Sequence, residues 1–268
     1  MNLAPADFGA LALPWLASGA AVLLRLGGLV LVLPFSTSGM VNARARGAFV
    51  LYATIAIVLG VAGPTRDVPH SALDWLLFLG PEVALGAGIG LLARLVLAAG
   101  TAMGQSASMM LGLGFATFVD PGSGAVTDSV GRIVRLVAGL LLVVVDAHLL
   151  LFEAVADSFQ FLPAGAASWV QVAAASDGIV AEGAKLFEIA LRLAAPIFCG
   201  VTMVYVVLAV VARVAPQMNL FAFGFVLTIP TGLFLLASSA PQIVTVFSME
   251  WYALPQRILS WLATGVTG

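Results

Sequence analysis

The run from Val214 to Met249, VAPQMNLFAFGFVLTIPTGLFLLASSAPQIVTVFSM, contains no charged residue and decides the class of fold. As one straight helix it would be about 54 Å long, well beyond the roughly 30 Å of a bilayer's hydrocarbon core. Three prolines interrupt it, at Pro216, Pro230 and Pro241. Because proline kinks or ends a helix, we predict one kinked membrane helix from about Met218 to Ala240. A bend and a short interfacial helix from Tyr252 to Ala263 are expected to follow.

The composition of the whole chain supports a membrane protein. Hydrophobic residues make up 62% of it and charged residues 9%, whereas soluble domains carry about 25% charged residues. The formal net charge of −2 gives no basic footprint for nucleic acid. The single cysteine excludes a disulfide framework, the two histidines lie far apart, and we find no catalytic or nucleotide-binding motif. We therefore expect no enzyme activity, no metal and no cofactor. The first 24 residues contain no Lys or Arg, so we expect the N-terminus to be that of the mature protein and not a cleavable signal peptide.

Five further apolar segments precede the charge-free run. They extend from about Phe8 to Leu33, Gly47 to Ala62, Trp75 to Ala99, Gly131 to Asp157 and Gly178 to Ala212. A weakly polar linker from Phe161 to Asp177 separates the last two. The pattern predicts an all-α, polytopic membrane protein of about six long, partly kinked helices. Arg44 and Arg46 mark the first connector as cytoplasmic under the positive-inside rule, which would leave both termini outside.

Charged residues within the apolar segments are expected to face protein or water rather than lipid. On one continuous helix, a single stripe of the fourth segment would hold Arg132, Arg135, Asp146, Glu153 and Asp157. Interhelical salt bridges and the polar wall of a conduit both fit such a stripe.

Two other segments carry regularly spaced residues. In the third, the small residues Gly86 and Gly90 predict close helix packing, with Glu82 one turn before them and Arg94 one turn after. In the fifth, four charged residues can pair along one face: Glu182, Lys185, Glu188 and Arg192.

The segment from Gly112 to Gly124, GLGFATFVDPGSG, is apolar, rich in glycine and closed by an Asp-Pro-Gly turn signal. Non-helical backbone at membrane depth is tolerated only inside protein or beside a water-filled cavity. The segment is therefore compatible with a gate, a plug or a pore lining, and equally with an ordinary connector at the membrane surface.

Three linked motifs resemble the FliR family, the flagellar biosynthesis proteins of the type III export gate. The first is GLGFATFVDPGS from Gly112 to Ser123. The second combines Asp146-Ala147-His148-Leu149 with Ala156-Asp157-Ser158-Phe159 and Leu162-Pro163. The third is the run from Arg213 through Pro216, Gln217 and Asn219 to Phe221 and Gly224. The resemblance extends essentially from end to end.

This resemblance implies a single-copy subunit of a pore complex with several FliP-like and FliQ-like subunits, and an FlhB-like subunit nearby. Such a chain is one domain over residues 1–268, with a FliP-like part over about 1–160 and a FliQ-like hairpin over about 178–268, and its helices pack as hairpins. It lies in the bacterial inner membrane, within the flagellar basal body, and passes unfolded polypeptides.

The family's plug aligns with about Met109 to Pro121. Its sealing residues would be Met109, Met110, Phe115, Phe118 and Val119, with Gly112 and Gly114 as hinges and Asp120 and Pro121 as the far anchor. Two alternatives remain open: the homologous subunit of a virulence injectisome, and a secondary transporter of small solutes.

Overall fold

The computed structural model describes residues 5–33, 42–65, 68–113, 129–217 and 219–267, and the fold is given for these ranges. They contain seven α-helices and no β-strand. The helices are α1 (Pro5–Val32), α2 (Ala43–Ile57), α3 (Ala72–Met110), α4 (Ser129–Val144), α5 (Ala147–Phe161), α6 (Trp169–Val214) and α7 (Leu220–Thr267). A π-helical turn, Val58–Ala62, extends α2.

Five of these helices are long and apolar enough to cross a membrane, or six if α4 and α5 count together as one broken span. The predicted all-α, polytopic membrane fold is therefore confirmed. The reason is compositional: in an apolar medium a helix satisfies its own backbone hydrogen bonds, so long apolar segments become helices.

Two helices begin earlier than the sequence analysis predicts, because each is started by a reciprocal capping pair. At α3, the Ser71 hydroxyl accepts from the Asp74 amide at 3.1 Å, and the Asp74 carboxylate accepts from the Ser71 amide at 2.9 Å. At α6, Ser168 and Gln171 form the same arrangement at 3.3 and 3.0 Å. Such pairs satisfy amides that lack intrahelical partners. The predicted linker consequently ends at Ser168 and not at Asp177.

The fourth apolar segment is not one helix, which corrects the prediction of a single charged stripe along it. The chain turns at Val145 and Asp146, and Asp146 has a left-handed backbone with φ of 53°. Aspartate tolerates this conformation better than most residues. Residues before and after the turn therefore do not share one helical periodicity.

The charge-free run also differs from its prediction. Helix α7 continues for 48 residues, through Pro230, Pro241 and Pro255, without the break expected after Ala240. A proline removes one hydrogen bond from a helix, whereas ending the helix in apolar surroundings would expose several unpaired backbone groups. The continuous helix therefore has the lower free energy here.

The described chain divides into two compact units. The first comprises residues 1–95, 146–183 and 252–268, within the described ranges. Its centre holds Leu26, Leu29, Ile89, Leu92 and Ile258, all nearly or fully buried. The indole of Trp261 donates to the Ala175 carbonyl at 2.6 Å and joins α7 to α6 within this unit.

The second unit comprises residues 96–145 and 184–251, again within the described ranges. Trp251, Phe247 and Ile197 are buried at its centre. The Trp251 indole donates to the Ala138 carbonyl at 3.3 Å and so ties α7 to α4. Gly200 of α6 lies directly against the Leu235 side chain of α7.

Candidate functional site

The C-terminal end of α3 leads into the predicted plug segment and lies in the second unit. Gly112 has φ of 76°, a left-handed conformation that favours glycine. The amide of Leu113 donates to the Ser108 carbonyl at 3.1 Å, and the amide of Gly112 donates to the Met109 carbonyl at 3.1 Å. These two bonds form a Schellman motif, which satisfies two of the carbonyls left over at a helix end.

The next two carbonyls are bonded by side chains from other helices. The Tyr205 hydroxyl of α6 donates to the Met110 carbonyl at 3.2 Å. The Thr228 hydroxyl of α7 donates to the Leu111 carbonyl at 3.4 Å. Thr228 is buried, whereas 44% of the Tyr205 surface is exposed. The last turn of α3 is thus fixed by its own backbone and by both long C-terminal helices.

Packing around this turn is close. Leu111 is fully buried and contacts Gly232 of α7. A Cβ placed on Gly112 would lie 2.6 Å from the ring of Phe225, so the site has room only for glycine. Two of the predicted sealing residues, Met109 and Met110, are exposed. The remaining residues predicted for the plug lie outside the described residues: Gly114, Phe115, Phe118, Val119, Asp120 and Pro121.

A buried charge cluster lies in the first unit. The Arg25 side chain donates from Nε to Glu82 at 2.6 Å, from Nη1 to Ser158 at 2.8 Å and from Nη2 to the Leu162 carbonyl at 3.1 Å. Its guanidinium also stacks over the Phe159 ring at 3.9 Å. The cluster joins α1, α3 and α5. Glu82 is singled out from the sequence together with Arg94, whereas its partner Arg25, the one charge of the first apolar segment, is not singled out there.

The second oxygen of Glu82 accepts from the Gly165 amide at 2.8 Å, so the carboxylate also holds the connector between α5 and α6. The helices that carry the two charges approach closely. A Cβ on Gly86 would overlap the Arg25 backbone, one on Gly90 would lie 2.7 Å from the Leu29 carbonyl, and one on Gly28 would overlap the Val83 carbonyl. Small residues therefore allow the approach that brings Arg25 to Glu82.

Other charged residues singled out from the sequence lie elsewhere. Arg94, Arg135, Asp146 and Glu153 are exposed and are not part of this cluster. Asp157 is partly buried and accepts from the Gln160 amide at 3.2 Å.

The charges of α6 form two different ion pairs. Arg192 and Glu188, one turn apart, are joined at 2.6 Å with both side chains mostly exposed. Glu182 is 3.4 Å from Arg257 of α7, and both of these side chains are partly buried. Arg257 is absent from the sequence predictions because its partner lies on another helix, beyond the reach of helical spacing.

The third motif lies where α6 ends and α7 begins, in the second unit, and Met218 between them lies outside the described residues. Arg213 lies in the last turn of α6. Pro216 and Gln217 are exposed in the turn. The Asn219 side chain accepts from the Ala222 amide at 3.2 Å and so caps α7. Gly224 is buried, and a Cβ placed on it would lie 4.0 Å from the Leu208 side chain. The Phe221 side chain lies outside the described ones.

These features define an α-helical integral membrane protein with one buried charge cluster among the described residues and a tightly capped turn before an apolar segment. The profile of the family described as "Bacterial export proteins, family 1" matches residues 16–254. The chain is 29% identical over 221 residues to flagellar biosynthetic protein FliR of Escherichia coli (strain K12), covering 82% of this chain and 83% of that protein.

Two other relatives agree. The FliR protein of Pectobacterium carotovorum subsp. carotovorum is 31% identical over 211 residues, covering 78% of this chain and 80% of that protein. The FliR protein of Bacillus subtilis (strain 168) is 27% identical over 225 residues, covering 80% and 83%. The chain therefore belongs to the FliR family of bacterial export proteins. It is accordingly an integral membrane subunit of the flagellar type III export gate and acts in flagellum assembly.

Proposed function

We propose that this chain helps to form and seal the channel through which unfolded flagellar polypeptides leave the cell. It does so in the bacterial inner membrane, within the basal body. The observation that carries the proposal is the family match over residues 16–254, together with flagellar relatives that cover most of the chain. These relatives favour a flagellar over an injectisome role. The part is structural, without a catalytic step, and other export components supply the energy.

The proposed partners are several FliP-like and FliQ-like subunits, with an FlhB-like subunit beside them. Helix length supports protein partners. Helices α6 and α7 have 46 and 48 residues, or about 69 and 72 Å, against a hydrocarbon core of about 30 Å. Large hydrophobic side chains are exposed near both ends of α6, with Val170 at 74% and Val214 at 83%. Exposed apolar surface on helices longer than a single span requires is the kind of surface that partner subunits cover.

We also propose that residues 1–160 form the FliP-like part and residues 178–268 the FliQ-like hairpin. Support comes from α6 and α7, which are joined by the five-residue connection 215–219. In the first unit α6 contacts α7 through Glu182 and Arg257. In the second unit it does so through Gly200 and Leu235.

The segment after α3 is proposed as the plug of the closed channel. Phe115, Phe118 and Val119, with Met109 and Met110, would exclude water and ions, while Gly112 and Gly114 act as hinges and Asp120 with Pro121 anchors the far end. Support comes from the end of α3, where every carbonyl from Ser108 to Leu111 accepts a hydrogen bond. The segment that follows therefore begins at a fixed position in the second unit.

The test is deletion of Gly114 to Val119 in cells that assemble the complete gate. The plug proposal predicts a large rise in leakage of small ions and a growth defect. A matched control replaces the same six residues by Gly and Ser, which keeps the chain length and removes the apolar seal. Unchanged ion leakage in both variants would exclude the plug.

A further inference from the structure

We infer that the last turn of α3 is held by a two-point latch, formed by the hydroxyls of Tyr205 and Thr228. The latch keeps the start of the plug in its closed position and releases it fully only when both α6 and α7 have shifted. This inference rests on the proposed plug function, and it assigns a positioning role to two residues that belong to none of the three family motifs.

The last four carbonyls of α3, from Ser108 to Leu111, need donors from outside the helix's regular hydrogen bonds. The Schellman motif satisfies only Ser108 and Met109. The Leu111 carbonyl is bonded at a buried position and would otherwise lack a donor, which is unfavourable. The Met110 carbonyl is bonded at an exposed position, where water is the alternative donor. Tyr205 and Thr228 supply the two donors from two different helices. The start of the plug is therefore coupled directly to α6 and to α7.

The two bonds are suited to release. O–H···O bonds are usually about 2.7–2.8 Å long, whereas these measure 3.2 and 3.4 Å. Both join neutral groups, which bond more weakly than charged ones. A modest displacement of either helix breaks such a contact. Because the two donors come from separate helices, release of one leaves the other in place, and full release needs both.

Packing against α7 limits the direction in which the last turn of α3 can move. Phe225 closes the space beside Gly112, and Leu111 is fixed against Gly232. Phe225, Thr228 and Gly232 all lie on α7. A shift of α7 would therefore move, at the same time, the ring that packs against Gly112, the hydroxyl that bonds the Leu111 carbonyl and the glycine that contacts the Leu111 side chain. Gly112, with its positive φ, is the residue at which the backbone can then change direction.

Ser108 provides a matched control in the same turn. Its hydroxyl is buried and, within the described part of the chain, bonds to no other group. Removing it changes local polarity without removing a latch bond. Four variants form the test set: Tyr205→Phe, Thr228→Val, the double variant and Ser108→Ala. Thr228→Ser restores a hydroxyl at the buried position and should restore the latch.

The first measurement is amide hydrogen exchange of the peptide covering Leu111 to Leu113 in the purified complete gate. We expect exchange to rise severalfold in each single variant and by at least tenfold in the double variant. Exchange should stay at the wild-type rate in Ser108→Ala and return towards it in Thr228→Ser. Tyr205→Phe changes a half-exposed side chain by one oxygen, so its folding is not in question. Wild-type exchange in the double variant would overturn the latch.

The second measurement is ion leakage in cells, with the Gly114 to Val119 deletion as the reference for an unsealed channel. The latch predicts leakage in the double variant between the wild type and this deletion. A leaking deletion with a double variant that neither leaks nor exchanges faster overturns the latch and leaves the plug standing. A deletion that does not leak overturns the plug, and faster exchange in the double variant then still supports the two bonds as the anchor of α3.

Discussion

The Nε atom of Arg25 lies 2.6 Å from a carboxylate oxygen of Glu82, and both side chains are completely buried. The two residues are 57 positions apart on different helices. Ser158, Leu162 and Gly165 satisfy their remaining polar atoms. A buried pair is tolerated when its hydrogen bonds are complete, because the cost of removing two charges from water is then offset. The cluster fixes how α1, α3 and α5 meet.

Removing one member of this pair should be far more damaging than removing both. Arg25→Met or Glu82→Leu alone leaves an unpaired buried charge, which costs about 3–5 kcal/mol of unfolding free energy. The double variant replaces both charges by apolar groups and should recover much of that loss. The measurement is the thermal midpoint for loss of monodisperse protein in mild detergent. A double variant as unstable as the sum of the two single variants would contradict this account.

Two adjacent glycines in α1 offer a matched comparison of close packing. A Cβ on Gly28 would overlap the Val83 carbonyl, whereas nothing lies within 4 Å of one on Gly27. Gly28→Ala should therefore lower the thermal midpoint and the yield of folded protein. Gly27→Ala should be neutral or stabilising by up to about 1 kcal/mol, because alanine is the better helix former. Equal effects of the two variants would show that α1 and α3 do not approach here.

The start of α6 depends on the Ser168 cap. Ser168→Ala removes the side-chain acceptor for the Gln171 amide and should destabilise the helix by about 0.5–2 kcal/mol. Among the described residues, the Ser176 hydroxyl on the same helix bonds the Ala173 carbonyl alone, so Ser176→Ala serves as the control and should change stability little. Circular dichroism measures the helix content of the two variants, and the thermal midpoint measures their stability. Loss of stability in the control alone would refute the cap.

The two ion pairs of α6 should differ in their contribution. The Arg192–Glu188 pair is exposed, and Arg192→Gln should change the unfolding free energy by less than about 1 kcal/mol. The Arg257–Glu182 pair is partly buried and joins two helices, so Arg257→Gln should lower the thermal midpoint measurably. A larger loss from Arg192→Gln would contradict this ranking.

The helical class of the fold is predictable from the sequence because charge is so scarce that long apolar segments have no alternative to helix. The boundaries of the helices were harder to predict from the sequence than their existence. Ser168 with Gln171 is a recognisable capping pair inside a stretch whose alanines, serines and glycine suggest a linker. Asp146 breaks the fourth segment although no glycine or proline marks the position. Conversely, Pro241 suggests a break that the apolar surroundings of α7 suppress.

The contacts at the candidate site could not be predicted from the sequence, and the reason differs from that for the helix boundaries. Gly112 stands out as a turn residue because it follows a helical segment. The donors that bond the neighbouring carbonyls, Tyr205 and Thr228, are 95 and 117 positions away from their acceptors. Arg25 is the one charge of its apolar segment and Glu82 shares its segment with Arg94, and nothing local indicates that Arg25 and Glu82 pair. Such contacts are set by tertiary packing and carry no periodic signal.

The most direct test of the account is native mass spectrometry of the tagged chain, extracted in mild detergent from cells that also express its FliP-like and FliQ-like neighbours. The account predicts one defined complex with a single copy of this chain and several copies of each partner. A stable monomer or homodimer without partners would contradict it. Saturable solute uptake by that purified chain would then identify a transporter.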